Sequence, residues 1–87
     1  MQIEYSKKFI KEFKKCPPKI KTTFKNKLKT FIKVPFNPSL NNHCLTGRLK
    51  EYRSININGD WRVIFQEIKN SDVIYFIAIG THSQLYS

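Results

Sequence analysis

The amino-acid sequence predicts an α+β fold in which an N-terminal strand and a helical hairpin pack on a largely antiparallel four-stranded sheet. The first observation is a change of period, because apolar residues recur every three or four positions in residues 7–33 and alternate or run continuously from about residue 48. The second is the segment Asn58-Gly59-Asp60 between two apolar runs, which is typical of a β-hairpin. The predicted order of elements is β-α-α-β-β-β.

The N-terminal third contains the predicted helices. Residues 2–5 predict a strand, and Ser6 is a suitable N-cap for a first helix over residues 7–15. The face of this helix that we expect to be buried holds Phe9, Ile10 and Phe13. Pro17 and Pro18 end the helix and can begin the next one, because proline is tolerated in a first helical turn. The second helix should bury one apolar stripe, which consists of Ile20, Phe24, Leu28, Phe31 and Ile32.

The C-terminal part is predicted to form the sheet. Prolines 35 and 38 end the second helix, and residues 36–47 have no clear period, so we expect a loop that carries His43. Residues 72–80 are almost continuously apolar, which indicates a strand that is covered on both faces and lies centrally in the sheet.

The side-chain pattern also predicts the geometry of the hairpin. A two-residue loop at Asn58-Gly59 would place charged residues on the apolar face, whereas a three-residue loop with left-handed Gly59 keeps that face apolar. We therefore predict the three-residue loop with a bulge, which pairs Ile57 with Trp61, Ile55 with Val63 and Arg53 with Phe65. The opposite face then holds Ser54, Asn56 and Arg62.

The net charge of +10 on 87 residues is unevenly distributed. Residues 1–33 carry eleven lysines and two glutamates, whereas residues 34–87 carry five basic and four acidic residues. Such a field attracts polyanions and makes their binding salt dependent. We expect the helical hairpin to dock on RNA or an acidic protein, through lysines such as Lys21, Lys25 and Lys29. A solvated face that only aids solubility is the alternative.

Length and composition exclude several classes of protein. Eighty-seven residues provide one domain, and a hydrophobic fraction of 40% is sufficient for a packed core. No apolar run approaches the roughly 18 residues of a membrane span, and the N-terminus has no signal-peptide pattern. We therefore expect a single domain over residues 1–87 in the cytoplasm, without membrane contact. Cys16 and Cys44 lack CxxC spacing and are expected to be reduced thiols.

The two histidines are the main candidates for chemistry. His43 lies in the predicted loop and His82 directly after the last strand, where an exposed imidazole can transfer protons near neutral pH. Together with Asn56, Arg62 and Tyr86 they can converge on the open face of the sheet. A cation, imidazoles and a phenol without paired carboxylates suit phosphodiester chemistry on RNA better than acyl transfer.

The sequence does not predict a metal site. A metal nuclease needs several acidic ligands, and only Asp60 is near the candidate residues. His43, Cys44, His82 and Cys16 are residue types that bind zinc, but their spacing matches no recognised zinc pattern. We therefore expect no metal and no small-molecule cofactor.

Three segments resemble the RelE/ParE superfamily of bacterial type II toxins, and more closely its YafQ-like branch. They are NHCLTG at residues 42–47, YRSININGDWRVIF at residues 52–65 and GTHSQLY at residues 80–86. The lysine-rich hairpin and the element order agree with that fold. The resemblance implies a RelE-like toxin that cleaves mRNA on the ribosome and is neutralised by an acidic antitoxin. In such toxins the 2′-hydroxyl of the mRNA attacks the adjacent phosphate without a metal and leaves a cyclic phosphate and a 5′-hydroxyl.

The resemblance also implies roles for individual residues. His82 corresponds to the terminal histidine that acts as a principal general acid, and His43 corresponds to the loop histidine of the YafQ-like branch. Arg62 corresponds to an arginine on the scissile phosphate, and Tyr86 to an aromatic residue used for stacking or proton transfer. Asn56 replaces a histidine and can form hydrogen bonds but cannot serve as a base, so proton transfer would rest on His43 and His82.

Several candidates also have a structural interpretation. Asp60 and Trp61 match an Asp-Trp pair of the YafQ-like branch, but Asp60 could simply stabilise the turn and Trp61 lies on the predicted apolar face. Tyr86 could pack the end of the chain. Arg53 is a second candidate RNA ligand, yet it falls on the inner face and could be a buried structural cation.

Three functions remain open from the sequence. The first is the ribosome-dependent mRNA endonuclease with an antitoxin, the ribosome and mRNA as partners. The second is a ParE-like inhibitor of DNA gyrase, which shares the fold and needs no histidine acid. The third is a non-catalytic basic module that binds nucleic acid, which Asn56 suggests.

Overall fold

The fold is α+β, as the sequence predicts, and the computed structural model describes residues 1–86. Two short 3-10 turns, Pro38–Leu40 and Gly47–Leu49, lie in the connection before the hairpin. The helices and strands are, in chain order, β1 (Gln2–Tyr5), α1 (Lys7–Lys14), α2 (Pro18–Lys33), β2 (His43–Cys44), β3 (Arg53–Asn58), β4 (Trp61–Glu67), β5 (Val73–Thr81) and α3 (His82–Tyr86).

The sheet has five strands in the order β1-β5-β4-β3-β2 rather than the four predicted. The additional strand is β2, where His43 pairs with Ser54 and Cys44 with Arg53. A strand of two residues is too short to show a period, which is why the sequence predicts a loop over residues 36–47. Strand β1 is parallel to β5, and the other pairs are antiparallel. Strand β5 pairs with β1 on one side and with β4 on the other, so the prediction that it lies inside the sheet and not at an edge is confirmed.

The hairpin between β3 and β4 has a shorter turn than predicted. Gly59 and Asp60 form the turn, with Gly59 at φ +54°, and Asn58 pairs with Trp61. The predicted pair of Ile57 with Trp61 is therefore wrong, because a register shift between Asn56 and Asn58 places the extra residue within β3. Beyond the bulge, the predicted pairs Ile55 with Val63 and Arg53 with Phe65 are confirmed.

A single serine links α1 to the sheet. The Ser6 hydroxyl accepts a hydrogen bond from the Phe9 amide at 2.9 Å and donates one to the carbonyl of Ile77 at 2.7 Å. It is thus the predicted N-cap and also a contact with β5. Helix α1 ends at Lys14, one residue before the prediction, and Pro18 begins α2 as predicted.

Aromatic side chains from the helices and the sheet form much of the core. Phe9 contacts Phe24 at a centroid distance of 5.5 Å, and Phe31 contacts Phe65 at 5.1 Å. Phe76 of β5 lies within 6 Å of all four rings, so it connects both helices to the sheet. The prediction that Ile10 and Ile32 are buried is wrong, since they are 45% and 48% exposed. Each follows a phenylalanine that already points inward, and successive helical residues are rotated by about 100°.

The two cysteines are free thiols, as predicted. Cys44 is exposed, whereas Cys16 is buried in the core. Burial raises the pKa of the Cys16 thiol; Lys21 lowers this pKa and Glu12 raises it. Cys16 is therefore a neutral core residue. Within residues 1–86, no helix combines the length and apolar character needed to cross a membrane.

Candidate functional site

The register of the sheet places several polar side chains on the face opposite the helical hairpin. His43 of β2 is opposite Ser54 of β3, and Asn56 of β3 is opposite Arg62 of β4. Arg62 is in turn opposite Gly80 of β5, where the side chains of Gln84 and Leu85 occupy the space that a Cβ would need. Because alternate residues of a strand point to opposite faces, these groups share the face that the hydrophobic core does not use.

A pocket of about 210 Å³ lies at this position. It contains four of the residues that the sequence predicts for the site, namely His43, His82, Arg62 and Tyr86. Its described lining contains no Asp or Glu side chain and consists of His43, Leu45, Ser54, Arg62, His82 and Tyr86.

The hydrogen bond of His43 determines which ring nitrogen can accept a proton. Its Nδ1 lies 2.7 Å from the carbonyl oxygen of Asn41. A carbonyl only accepts hydrogen bonds, so Nδ1 carries the hydrogen and the Nε2 of the neutral ring carries the lone pair. Asn41 adopts the left-handed conformation, with φ 47° and ψ 49°, which asparagine tolerates better than most residues. No pattern in the sequence indicates this hydrogen bond.

His82 and Tyr86 are placed by the short helix α3. The backbone amide of His82 donates to the carbonyl of Asp60 at 2.9 Å, which ties the start of α3 to the hairpin turn. Tyr86 follows one helical turn later, and its ring centroid is 4.7 Å from that of His82. The amide of Thr81 donates to the Gln84 side chain at 2.8 Å and so closes the first turn.

Arg62 brings a positive charge that forms no salt bridge with a carboxylate within residues 1–86. Its guanidinium donates to the carbonyls of Gly59 at 2.6 Å and Trp61 at 3.1 Å. The salt bridges found within residues 1–86 join the N-terminus to Asp72 and Lys8 to Glu12, both away from this pocket. The charge is therefore available to an anion in the pocket.

Several of the predicted site residues lie outside the pocket. Trp61 packs against the hydrophobic core and lines a separate cavity beside Cys16 and Glu12, in agreement with its structural interpretation. Asp60 is exposed in the turn and contributes its backbone carbonyl to His82. Asn56 is half-buried opposite Arg62; its side-chain oxygen is buried without a hydrogen-bond partner, and it does not line the pocket.

Arg53 also lies apart from the pocket. It is half-buried on the inner face, as the predicted register required. Its Nε donates to the Asn42 side chain at 2.8 Å, one terminal nitrogen donates to Cys44 Sγ at 2.7 Å, and its guanidinium lies over the ring of Phe36.

Ser54 lines the pocket but is not among the site residues predicted from the sequence. The predicted register does place it on the same face of the sheet as Arg62. It is completely buried, lines the pocket and has a hydroxyl without a hydrogen-bond partner. Its position next to His43 depends on β2, which the sequence did not predict.

The candidate RNA-binding lysines lie on α2, on the other side of the sheet from the pocket. Lys25 and Lys29 are exposed, whereas Lys21 is half-buried with its ammonium 6.0 Å from the centroid of the Phe13 ring. In the part of the chain that the structure describes, no three His, Cys, Asp or Glu side chains are grouped so that they could hold a metal ion.

The fold is that of a RelE/ParE-type toxin. It matches the crystal structure of YafQ from E. coli strain BL21(DE3) with a TM-score of 0.83 at 24% identity, over 99% of this chain and 98% of that one. It matches a chain of the crystal structure of the E. coli DinJ-YafQ toxin-antitoxin complex with a TM-score of 0.79 at 26% identity, over 99% of this chain and 97% of that one. It matches the YoeB/ParE toxin from Agrobacterium tumefaciens with 0.78 at 13% identity, over 94% and 99%.

The family model described as bacterial toxin of type II toxin-antitoxin system, YafQ, matches residues 1–87. The chain therefore belongs to the YafQ family of type II toxins, and the resemblance found in the sequence is confirmed. No curated protein sequence matches the chain.

Proposed function

We propose that this protein is a ribosome-dependent mRNA endonuclease and that residues 1–87 form one toxin domain acting in the cytoplasm. The observation that carries the proposal is the pocket, which combines His43, His82, Arg62 and Tyr86 without a carboxylate in its described lining. Two imidazoles can move two protons, and a cation can stabilise a phosphate. These are the requirements for cleavage of RNA by its own 2′-hydroxyl.

The reaction needs a base and an acid on opposite sides of the phosphate. His43 Nε2 accepts the proton of the 2′-hydroxyl, since Nδ1 is occupied by the Asn41 carbonyl. The 2′-oxygen then forms a bond to phosphorus, and the bond between phosphorus and the 5′-oxygen breaks. His82 gives its proton to the departing 5′-oxygen, so the products are a 2′,3′-cyclic phosphate and a 5′-hydroxyl.

Arg62 and Tyr86 support this reaction without transferring the essential protons. The guanidinium of Arg62 would donate hydrogen bonds to the non-bridging phosphate oxygens, where negative charge increases in the transition state. Tyr86 lies against His82 and offers a ring for stacking of a neighbouring base.

The partner that we propose is an acidic antitoxin. An apolar groove of about 430 Å³ lies between β1, α1 and α2, and Lys14 and Lys25 are among its lining residues. An amphipathic segment with acidic flanks complements both the apolar and the positive parts of this surface. The E. coli relative was crystallised as a complex with DinJ, which supports a partner of this kind.

The test is cleavage of mRNA in a reconstituted translation system. The wild-type protein should cut translated mRNA, leave a cyclic phosphate and a 5′-hydroxyl, and leave free mRNA largely intact. Arg62→Ala should reduce the cleavage rate at least about 100-fold, whereas Arg48→Ala, which removes an exposed arginine outside the pocket, should not.

A gyrase assay run in parallel separates the ParE-like alternative. Inhibition of DNA supercoiling with intact mRNA would contradict the proposal and support a gyrase inhibitor. Binding of RNA or ribosomes with neither effect would support the non-catalytic module.

A further inference from the structure

Phe36 is the most exposed large hydrophobic residue in the described part of the chain, with 64% of its surface accessible. It lies in the connection after α2, between Pro35 and Pro38, both of which restrict the backbone. An aromatic ring at this exposure contributes little to the core, because most of its apolar surface remains in contact with water.

The ring is nevertheless held in place. The central carbon of the Arg53 guanidinium lies 5.2 Å from the Phe36 ring centroid, within the range of a cation–π contact. Arg53 is fixed by hydrogen bonds from its Nε to Asn42 at 2.8 Å and from a terminal nitrogen to Cys44 Sγ at 2.7 Å. The Asn42 amide also donates to the carbonyl of Pro35 at 2.9 Å. Asn42 thus connects the guanidinium to the segment that carries the ring.

This Phe36–Arg53 platform lies close to the pocket but on the other side of the sheet edge. Cys44, which contacts Arg53, directly follows His43, which lines the pocket. Consecutive strand residues point to opposite faces, so the two-residue strand β2 separates the platform from the pocket. Strand β2 is also the last strand of the sheet, so a bound strand of RNA could pass over this edge from one site to the other.

We propose that the Phe36–Arg53 platform binds a nucleobase of the same single-stranded RNA that enters the pocket. One side of the ring faces the guanidinium, and the exposed remainder offers a flat surface for stacking. The adjacent positive charge favours a polyanion over an apolar protein segment, for which the larger groove between α1 and α2 is better suited. The proposal rests on the proposed ribonuclease function, because it assigns a second contact to that substrate.

The test uses the full-length His82→Ala protein, in which cleavage is expected to be at least about 100-fold slower, and a short fluorescent single-stranded RNA. Phe36→Ala and Phe36→Leu should each weaken binding about tenfold, and Phe36→Tyr should bind like the parent because it keeps the ring. Val34→Ala, at another exposed apolar position of the same segment, is the matched control and should bind like the parent. The slope of log affinity against log salt should be the same for Phe36→Ala and the parent. This slope reflects the counterions released when phosphates are neutralised, and stacking of a base on Phe36 neutralises no phosphate.

Other outcomes separate the two proposals. Equal RNA affinity of the leucine variant and the parent would overturn the platform, and if the wild type still cleaved translated mRNA the proposed function would stand. Failure of the parent to bind RNA, together with an inactive wild type, would overturn both. Loss of antitoxin affinity in Phe36→Ala with unchanged RNA binding would overturn the platform and assign Phe36 to a protein interface.

Discussion

At the scale of the residue, one carbonyl decides how His43 can act. The carbonyl oxygen of Asn41 accepts a hydrogen bond from His43 Nδ1 at 2.7 Å. His43 Nε2 is therefore the ring nitrogen that can accept a proton. His82 has no such contact with Asn41, and its backbone is instead anchored to Asp60 at the hairpin turn. The proposed mechanism uses these different supports by assigning the base to His43 and the acid to His82.

Ser54 gives a prediction about stability. Its hydroxyl is fully buried without a partner, so Ser54→Ala removes an unsatisfied polar group and should stabilise the protein by up to about 1 kcal/mol. Ser6→Ala is the contrasting control, because that hydroxyl forms two hydrogen bonds and its loss should cost about 1 kcal/mol. Thermal unfolding followed by circular dichroism measures both. A clear loss of stability in Ser54→Ala would show that the hydroxyl has a partner in solution.

At the scale of the element, the hairpin turn positions two parts of the site. It supplies the Gly59 carbonyl to Arg62 and the Asp60 carbonyl to His82. The turn depends on the positive φ of Gly59, at which an added Cβ would meet no atom within 4 Å. Glycine is therefore favoured at position 59 by the positive φ of the backbone, and an added Cβ would meet no steric obstacle there.

Substitution of Gly59 tests this dependence. Gly59→Val should lower the free energy of unfolding by about 1–2 kcal/mol, because a β-branched residue is strained at positive φ. Gly59→Asn is the matched control and should cost less, since asparagine adopts the left-handed region. Chemical denaturation measures both values. Equal stability of the valine variant and the wild type would show that the turn takes another conformation in solution.

The same elements show how far the sequence could predict the site. The apolar alternation was sufficient to pair Ile55 with Val63 and to place Ser54 with Arg62 on one face. It could not predict the bulge, because an extra residue fits either in the loop or in the strand without changing the pattern beyond it. Strand β2 and helix α3 are short and depend on contacts with β3, Gln84 and the hairpin turn. Such contacts are not encoded in a local period.

Some of the site residues predicted from the sequence line the pocket and others do not, because strand geometry decides which face each side chain occupies. His43, His82, Arg62 and Tyr86 were brought forward by their chemistry, and the fold brings them together. Trp61 lies on the inner face of a strand whose other face carries the pocket, so proximity in sequence to Arg62 does not place it there.

At the scale of the whole molecule, the positive charge and the pocket lie on different sides of the sheet. Helices α1 and α2 pack on the inner face, and the exposed surface of α2 carries Lys25 and Lys29. The pocket opens on the opposite face. In the proposed function, the charge on α2 therefore contributes to docking on the ribosome or an antitoxin and takes no part in the chemistry of the pocket.

Salt dependence tests this separation. Replacement of Lys21, Lys25 and Lys29 by Gln in the His82→Ala protein should lower the slope of log affinity for ribosomes against log salt by about 2, at about 0.7 per lost phosphate contact. The control replaces Arg48, Lys50 and Lys69, which are exposed outside the helical hairpin, and should alter the slope less. Equal slopes for both triple variants would contradict docking through α2.

The central claim is that the pocket cleaves RNA with His82 as the acid. The most direct test is the rate of mRNA cleavage during translation by His82→Ala, with Ser83→Ala as the control at the next, exposed position of α3. Loss of a general acid should reduce the rate at least about 100-fold at an unchanged melting temperature, while Ser83→Ala should cleave like the wild type. A folded His82→Ala protein that cleaves translated mRNA at the wild-type rate would contradict the account.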